Sequence, residues 1–303
     1  MKLFPKMELA VKAMALCCSD KEDEKNKSPI ARSEVFNETW MLRLTLALIH
    51  DYKNGDGEFC TLSDDHDNKT KKALKRIRAA VTKRWISEGG LEPAFEEEGT
   101  TWTDAILGDV RLRGESADDN EKAKTESNKR KIELAGISNN NASVVIVEAK
   151  MGSELASGIT HADDYNQAAR NIACLATLLM KKSPNKDDSE ALAKNSAFYV
   201  FAPKSKIDEW KDSEKDPNAM IETAWSTISN QKRTLKRTAR EEEKNIEDLK
   251  EFVTPIVNNS IAISWEEVIE SMKADTTGAC ETSKWFYEET CAEYDIKPSW
   301  SKT

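Results

Sequence analysis

The chain has 303 residues, a formal net charge of −9 and 39% hydrophobic residues. It is long enough for one large domain or two small ones, and its acidity argues mildly against a general affinity for nucleic acid. The six cysteines form no CxxC pair and the three histidines form no HxxxH or HExxH motif, so neither a zinc ribbon nor a thioredoxin-like site is expected. No window approaches about 20 consecutive apolar residues, so no membrane span is expected either.

The first 32 residues are predicted to form a short amphipathic helix, over residues 1–18, followed by a charged linker, SDKEDEKNKSP. Lysines and a glutamate interrupt the apolar residues of this helix, which is therefore too charged for a secretory signal. Unpaired cysteines scattered along the chain favour a reducing, cytoplasmic compartment. Residues 33–303 are predicted to form a single α/β domain.

A mostly apolar helix is predicted from Ser33, as its N-cap, to Tyr52. Glu38 lies near its start. Two interpretations stay open: an exposed glutamate stabilised by the helix N-terminus, or a carboxylate that faces an active-site cleft.

The next predicted helix covers residues 69–86 and ends at Gly89 and Gly90. Leu74, Ile77, Val81 and Trp85 form its apolar stripe, and the remaining face is basic. Such a face suits a phosphate backbone, although it also suits pairing with acidic loops such as 96–98. The basic residues that we expect to contact nucleic acid here are Lys71, Lys72, Lys75 and Arg78.

A strand that contains Asp104 is followed by a polar segment, residues 114–141, and by the apolar run SVVIVEAK. The run predicts a buried strand whose end carries Glu148 and Lys150 on one face and Ala149 on the other. In a hairpin with equal arms Asp104 lies beside Glu148. Asp109 is the alternative partner, but it would lie about 15 Å from that end of the strand.

The remaining elements are predicted in the order helix, strand, helices, strand, helix. The helix DYNQAARNIACLATLLMKK has Asp163 or Asp164 as its N-cap. The strand NSAFYVFAP should lie parallel to SVVIVEAK, because a helix connects them. Helical segments follow at 206–229 and 232–253, the second opening with a basic cluster. SIAISW is predicted as an edge strand, and a last helix covers residues 282–294.

Four motifs, in their order along the chain, resemble those of the PD-(D/E)xK nuclease superfamily. They are SEVFNETW, TDAIL, VIVEAK and YNQAAR. The resemblance covers roughly residues 33–203. It implies an α/β fold with a restriction endonuclease-like core, in which helices flank a central mixed β-sheet, here with extra N- and C-terminal helices. Thr103 stands where the family often has proline, and the polar segment lengthens the separation of the two acids.

The resemblance implies a metal-dependent nuclease that acts on DNA. Mg²⁺, or Mn²⁺ in its place, would be held by Asp104, Glu148 and the carbonyl of Ala149. Glu38 would reach the ion directly or through water, and Lys150 would orient the attacking water or stabilise the charged transition state. Further residues implied in the site or in DNA contacts are Gln167, Arg170, Lys232 and Arg233.

Three alternatives stay open. Gln167 is equally well interpreted as an ordinary amide on a helix surface. The whole protein can be a nuclease-like fold without catalytic activity that serves as a nucleic-acid or protein binding module. Finally, Glu148 and Lys150 can form a structural salt bridge in an unrelated α/β protein. This alternative predicts that Asp104 and Glu148 lie far apart. The restriction-type members of the superfamily often form dimers, so a homodimer is a further expectation.

Overall fold

A computed structural model describes eleven segments of the chain: residues 4–16, 32–51, 67–96, 98–115, 130–135, 142–158, 165–182, 186–231, 233–235, 246–272 and 279–301. Five strands form a central sheet and two form a small second sheet. The strands are β1 (Trp85–Leu91), β2 (Thr101–Gly108), β3 (Val110–Leu112), β4 (Ile132–Leu134), β5 (Val144–Ala149), β6 (Ala197–Ala202) and β7 (Ile261–Ser264).

The central sheet has the strand order β1-β2-β5-β6-β7. Strands β1, β2 and β5 are antiparallel neighbours, whereas β5, β6 and β7 run parallel. The predicted parallel pairing of SVVIVEAK with NSAFYVFAP is therefore confirmed, as is the edge position of SIAISW. β5 lies at the centre of the sheet, which explains why all its residues are buried.

Twelve helices cover the two faces and ends of this sheet in the described part of the chain. They are α1 (Phe4–Leu16), α2 (Arg32–Val35), α3 (Glu38–Asp51), α4 (Asn68–Val81), α5 (Gln167–Lys182), α6 (Lys186–Asn195), α7 (Lys204–Trp210), α8 (Pro217–Glu222), α9 (Ala224–Ser229), α10 (Ile246–Asn259), α11 (Trp265–Glu270) and α12 (Ala279–Glu293). Single 3₁₀ turns lie at Arg113–Glu115, after β3, and at Ser299–Ser301, after α12. None of these helices is long and apolar enough to cross a membrane.

Alternating residues of the strands divide the core into two layers. Val145 and Val147 of β5 pack with α1, α3, α4, α11 and α12. Val144 and Ile146 face the other layer, which α5, α6 and α8–α10 complete. The protein is thus an α/β fold with a mixed five-stranded sheet flanked by helices, as predicted. Residues two apart in a strand point to the same face of the sheet, so Glu148 lies on the same side as Ile146, the side covered by α5.

The hairpin between β2 and β5 has the predicted register, since Ala105 pairs with Val147 and Gly108 with Val144. Its first arm is shorter than the predicted stretch 104–112. Gly108 has a φ of +106°, which turns the chain out of the central sheet. The following strand β3 pairs with β4 instead. Of the polar segment 114–141, residues 116–129 and 136–141 lie outside the described residues.

The predicted helix from Ser33 to Tyr52 is two helices. Asn37 lies between α2 and α3, where its side chain accepts a hydrogen bond from Trp40 N–H at 3.1 Å and donates to Glu34 O. A side chain that caps the next helix competes with helix continuation. The break makes Glu38 the first residue of α3.

The predicted helix 69–86 ends early, at Val81, and Trp85 begins a strand. Gly89 and Gly90, predicted to stop the helix, lie inside β1. A Cβ atom at Gly89 would lie 2.8 Å from the side chain of Ile132. The glycine is therefore required by close packing against β4 rather than by a helix terminus.

Two smaller predictions are also wrong, and one helix was not predicted. Helix α5 is capped by Asn166, whose side chain accepts from Ala169 N–H at 2.8 Å; Asp163 and Asp164 lie outside the described residues. The helix that was not predicted is α6, which begins in the polar stretch before the strand NSAFYVFAP. Residues 233–235 were expected in a helix, but they are not helical, and Leu235 forms an isolated antiparallel bridge with Phe95.

Candidate active site

Asp104 of β2 and Glu148 of β5 converge at one end of the central sheet. The register of β2 with β5 places them opposite each other, one residue beyond the pair Ala105–Val147. The carboxylate of Asp104 also accepts a hydrogen bond of 2.7 Å from the N–H of Ala149. The structural salt-bridge interpretation predicted that these two acids lie far apart, and this one prediction is wrong.

The carboxylate of Glu148 is almost completely buried, with 5% of its side chain exposed. Its Oε1 atom accepts hydrogen bonds from Lys150 Nζ, at 3.1 Å, and from Gln167 Nε2. Its Oε2 atom is buried and has no hydrogen-bond partner among the described residues. An unsatisfied carboxylate oxygen inside a protein is costly unless a proton or a cation neutralises it.

The site holds more negative charge than its own cation balances. Burial and the neighbouring charge of Asp104 raise the pKa of Glu148 to about 7, although Lys150 and Gln167 oppose the rise. Burial raises the pKa of Asp104 as well, and the charge of Glu88 adds to it. Two carboxylates in such surroundings favour a cation bound between them.

Lys150 supplies the positive charge in the described part of the site. Its side chain is 12% exposed. Burial alone would lower the pKa of Lys150, but the charge and hydrogen bond of Glu148, with the charges of Asp104 and Glu38, outweigh burial and raise it. Lys150 is therefore an ammonium group in this site, and acts as a donor rather than as a base.

Glu38 joins the site from α3. Its carboxylate accepts a hydrogen bond of 2.5 Å from Met151 N–H, directly after Lys150. Burial raises the pKa of Glu38, against the effect of this hydrogen bond and of Lys150. Of the two interpretations that the sequence left open, a carboxylate facing the cleft describes this position better than an exposed glutamate.

Gln167 is the first residue of α5, and both ends of its amide are engaged. Nε2 donates to Glu148, while Oε1 accepts from Ala156 N–H at 3.3 Å. These contacts join α5 to the end of β5 and to the loop that follows it. An ordinary surface amide would not make such contacts, so that alternative is disfavoured.

Asp109 is not part of the site. Its carboxylate accepts from Lys83 Nζ at 2.7 Å and from Ser143 N–H at 2.8 Å. Ser143 precedes β5, so Asp109 lies at the opposite end of that strand from Glu148. The geometric reason for choosing Asp104 over Asp109 is thereby confirmed.

Three residues near the site were missed in the sequence. Glu88 of β1 lies opposite Asp104 in the register of β1 with β2, with a φ of +54° that is rare for a residue with a side chain. Two arginines bind its carboxylate: Arg43 at 3.3 Å and Arg130 at 2.8 Å. No sequence motif indicates that any of these three residues lies near the site. They come close to Asp104 only because the chain folds.

The basic residues predicted to contact DNA are not gathered at the carboxylates. The N–H of Gly108 donates to Arg84 O, just after α4, so this end of α4 lies at the end of β2 away from Asp104. Lys72 and Lys75 are exposed, and Lys71 and Arg78 are partly exposed. The raised pKa values of Asp104, Glu148 and Glu38 reflect burial and the charges of neighbouring acids, opposed by the charge of Lys150.

Arg170 and Arg233 are engaged inside the protein with one buried acid, Glu98. Arg233 Nη1 donates to Glu98 at 3.1 Å, and the Nε atom of Arg170 lies 3.9 Å from the same carboxylate. Arg170 also donates to Gly99 O at 3.0 Å. Their first role is therefore to join α5 and residues 233–235 to the segment before β2. Lys232 lies outside the described residues.

The donor set fits a hard divalent cation in part. Among the described residues, no three histidine, cysteine, aspartate or glutamate side chains lie together as metal ligands. Two carboxylates converge nonetheless, and Glu148 Oε2 is buried without a donor. A cation there would satisfy this oxygen and would remove the repulsion between Asp104 and Glu148. No protein-family model, curated protein or solved structure matches the chain.

Proposed function

We propose that this protein is a metal-dependent nuclease that hydrolyses phosphodiester bonds of DNA, built on a restriction endonuclease-like core. One observation carries the proposal: the carboxylates of Asp104 and Glu148 converge beside Lys150, and one buried oxygen of Glu148 has no partner. The order of Glu38, Asp104, Glu148, Lys150 and Gln167 along the chain supports the same function through the family resemblance.

Asp104, Glu148 and the carbonyl of Ala149 would hold Mg²⁺ or Mn²⁺. When bound, such an ion neutralises phosphate charge and lowers the pKa of a bound water. The protein prepares this site by keeping two acids, whose pKa values are raised by burial, close together. A hydrogen bond from the backbone of Ala149 fixes the position of Asp104, so the two carboxylates do not have to be reorganised.

Lys150 acts as an ammonium donor. It would hold a water molecule in line with the scissile phosphate, or stabilise the negative charge that grows on the phosphate oxygens in the transition state. Its present partner is Glu148 Oε1. An ammonium that is already desolvated interacts strongly with an anion that enters the site.

Gln167 and Glu38 are positioning residues in this mechanism. Gln167 holds the carboxylate of Glu148 from α5, and Glu38 holds the backbone after Lys150 from α3. Each therefore restrains one end of the E-A-K segment. Positioning of this kind matters because a displacement of about 1 Å in a catalytic group can cost about 100-fold in rate.

DNA backbone contacts are assigned to the basic face of α4, at Lys71, Lys72, Lys75 and Arg78. This face lies apart from the carboxylates, so it would bind phosphates at a distance from the cleaved bond. Arg170 and Arg233 would add positive charge only through the part of each side chain that is not engaged with Glu98. Lys232 is assigned to the DNA contacts from the sequence alone.

The test is Mg²⁺-dependent cleavage of linear, circular and single-stranded DNA by the wild type and by Lys150→Ala. We expect the substitution to reduce cleavage by at least about 100-fold, the usual order for loss of one transition-state donor. Lys211→Ala is the matched control, since Lys211 is exposed and follows α7. Cleavage that persists undiminished in Lys150→Ala would reject the site.

A further inference from the structure

Large apolar side chains that are exposed to solvent are few in the described part of the chain. They are Leu9, Trp102 and Tyr294, with 71%, 45% and 37% of each residue exposed. Two of the three, Trp102 and Tyr294, border the candidate active site. An exposed aromatic ring that is held in place beside a site is a common means of binding a flat ligand.

Trp102 lies two residues before Asp104 in β2, so both project from the same face of the sheet. Its indole ring lies over Gly90 in β1: a Cβ atom at Gly90 would be 3.1 Å from Cζ3 of the ring. The guanidinium of Arg130 lies 5.6 Å from the centre of the ring. The ring thus packs on the backbone of β1, and next to it lies an arginine whose guanidinium is also paired with Glu88.

Tyr294 borders the site on the side of Glu38. Its ring lies against Gly152, the second residue after Lys150, where a Cβ atom would be 3.0 Å from Cδ1 of the ring. Its hydroxyl lies close enough to Glu38 for the backbone and the charge of that residue to act on its pKa. The ring thus packs along the backbone after β5, with its hydroxyl near the start of α3.

We propose that Trp102 and Tyr294 are stacking platforms for unpaired nucleobases on the two sides of the carboxylates, and that the preferred substrate is single-stranded DNA. In a duplex the faces of the bases are already covered by stacking, so these rings can only bind bases that are unstacked. A single strand stacked on both rings would bring a phosphate between them towards Lys150. This inference rests on the proposed function and specifies its substrate.

The experiment measures binding without cleavage. Fluorescence anisotropy with a fluorescein-labelled oligothymidylate, in EDTA, gives the affinity of the full chain for a single strand, and a blunt duplex of the same length is measured in parallel. We expect Trp102→Ala and Tyr294→Ala each to weaken single-strand binding about 10-fold and to leave duplex binding unchanged. That size follows from about 1–3 kcal/mol per stacked base and 1.4 kcal/mol per tenfold change.

Matched variants separate stacking from structure. Trp102→Phe and Tyr294→Phe keep a ring and should retain most of the affinity, whereas Leu9→Ala removes an exposed apolar side chain from α1 and should change nothing. Melting temperatures show whether each variant is folded. The inference is overturned if the wild type does not bind the oligothymidylate, if the alanine variants bind it as tightly as the wild type, or if they lose duplex binding equally.

The same variants distinguish this inference from the nuclease proposal. A wild type that binds the single strand through both rings, but cleaves no DNA with Mg²⁺, supports the stacking platforms and contradicts hydrolysis. A wild type that loses cleavage on Lys150→Ala, but whose affinity for the single strand is unchanged by Trp102→Ala and Tyr294→Ala, supports hydrolysis and contradicts the stacking platforms.

Discussion

The carboxylate of Asp104 binds the N–H of Ala149, the residue between Glu148 and Lys150, at 2.7 Å. A side chain of one strand thereby fixes the backbone of the next, 45 residues later in the chain. The contact helps to keep the two acids close together. Asp104 therefore has two roles: it accepts a hydrogen bond, and it carries a negative charge near Glu148.

Asparagine and alanine at position 104 should therefore have opposite effects on stability. Asp104→Asn keeps an oxygen that can accept from Ala149 and removes the charge that repels Glu148, so we expect a gain of about 1 kcal/mol in the free energy of unfolding near pH 7. Asp104→Ala leaves the N–H of Ala149 without this partner, which costs about 1–3 kcal/mol. Urea denaturation in EDTA measures both; equal destabilisation by the two variants would contradict this division of roles.

The pKa of Glu148 predicts how stability depends on pH. Because burial raises it from 4.5 to about 7, the folded protein binds more protons than the unfolded chain between these two values. The free energy of unfolding should therefore fall as the pH rises through this window, by up to about 3 kcal/mol. Glu148→Gln should remove this part of the pH dependence, and should be more stable than the wild type at pH 8 but not at pH 4.5.

Measurement of the unfolding free energy from pH 4.5 to pH 8, without divalent cations, tests the prediction. Glu266→Gln is a useful comparison, since Glu266 is also buried but accepts hydrogen bonds from two backbone N–H groups, of Lys204 and Ser299. A wild type and a Glu148→Gln variant with parallel curves would show that Glu148 is not the group that titrates.

Divalent cations should stabilise the folded protein. An ion that binds only the folded state at 100 times its dissociation constant adds about 2.7 kcal/mol, which is seen as a rise in melting temperature with Mg²⁺ or Mn²⁺. The rise should be absent in Glu148→Gln and in Asp104→Asn, and it should be unaffected by Lys72→Ala. A binding module without a metal site should show no rise in the wild type, so this measurement also decides between the two functions that the sequence left open.

The basic face of α4 can be tested by the salt dependence of DNA binding. Each phosphate contact contributes about −0.9 to the slope of log K against log salt for duplex DNA. Lys72→Ala with Lys75→Ala should therefore lower the magnitude of the slope by up to about 2. Lys204 and Lys206 of α7, the first exposed and the second partly exposed, are paired with Asp208 and Glu209, and their alanine variants should leave the slope unchanged. An unchanged slope in the α4 double variant would remove α4 from the DNA contacts.

The sequence predicts those parts of the fold that depend on residues close together in the chain, and fails where distant segments pair. Val144–Val147 is a local apolar run, and the equal-arm hairpin places Asp104 opposite Glu148, so strand and register follow from residues close to the motif. Trp85 shows the limit. It continues the helical spacing of Leu74, Ile77 and Val81, but pairing of β1 with β2 decides its conformation, and no pattern within the helix reveals that pairing.

The sequence predicted the residues around the carboxylates, but not the ring of Tyr294. Asp104 and Glu148 lie on two paired strands, and Lys150 directly follows the second. The family resemblance added Glu38 and Gln167, whereas Tyr294 comes from a segment 190 residues after Asp104. The position of Tyr294 depends on α12 packing against α3, for which the sequence has no short motif. Arg170 and Arg233 illustrate the converse: their charge suggested phosphate contacts, but the buried carboxylate of Glu98 that engages both is visible only in three dimensions.

Gly108 provides a last prediction, on the turn that ends β2. Its φ of +106° is rare for residues with a side chain, and a Cβ atom there would lie 2.0 Å from the carbonyl oxygen of Ser143. Gly108→Ala must therefore displace the start of β5 or the turn itself, and we expect it to cost at least about 3 kcal/mol. Gly99→Ala is the matched control, since no atom of the described residues, apart from its two chain neighbours, lies within 4 Å of the added Cβ, and it should change stability by less than about 0.5 kcal/mol. Urea denaturation of both variants is the measurement. A Gly108→Ala protein as stable as Gly99→Ala would mean that β2 continues past residue 108, and that the hairpin which aligns Asp104 with Glu148 ends elsewhere.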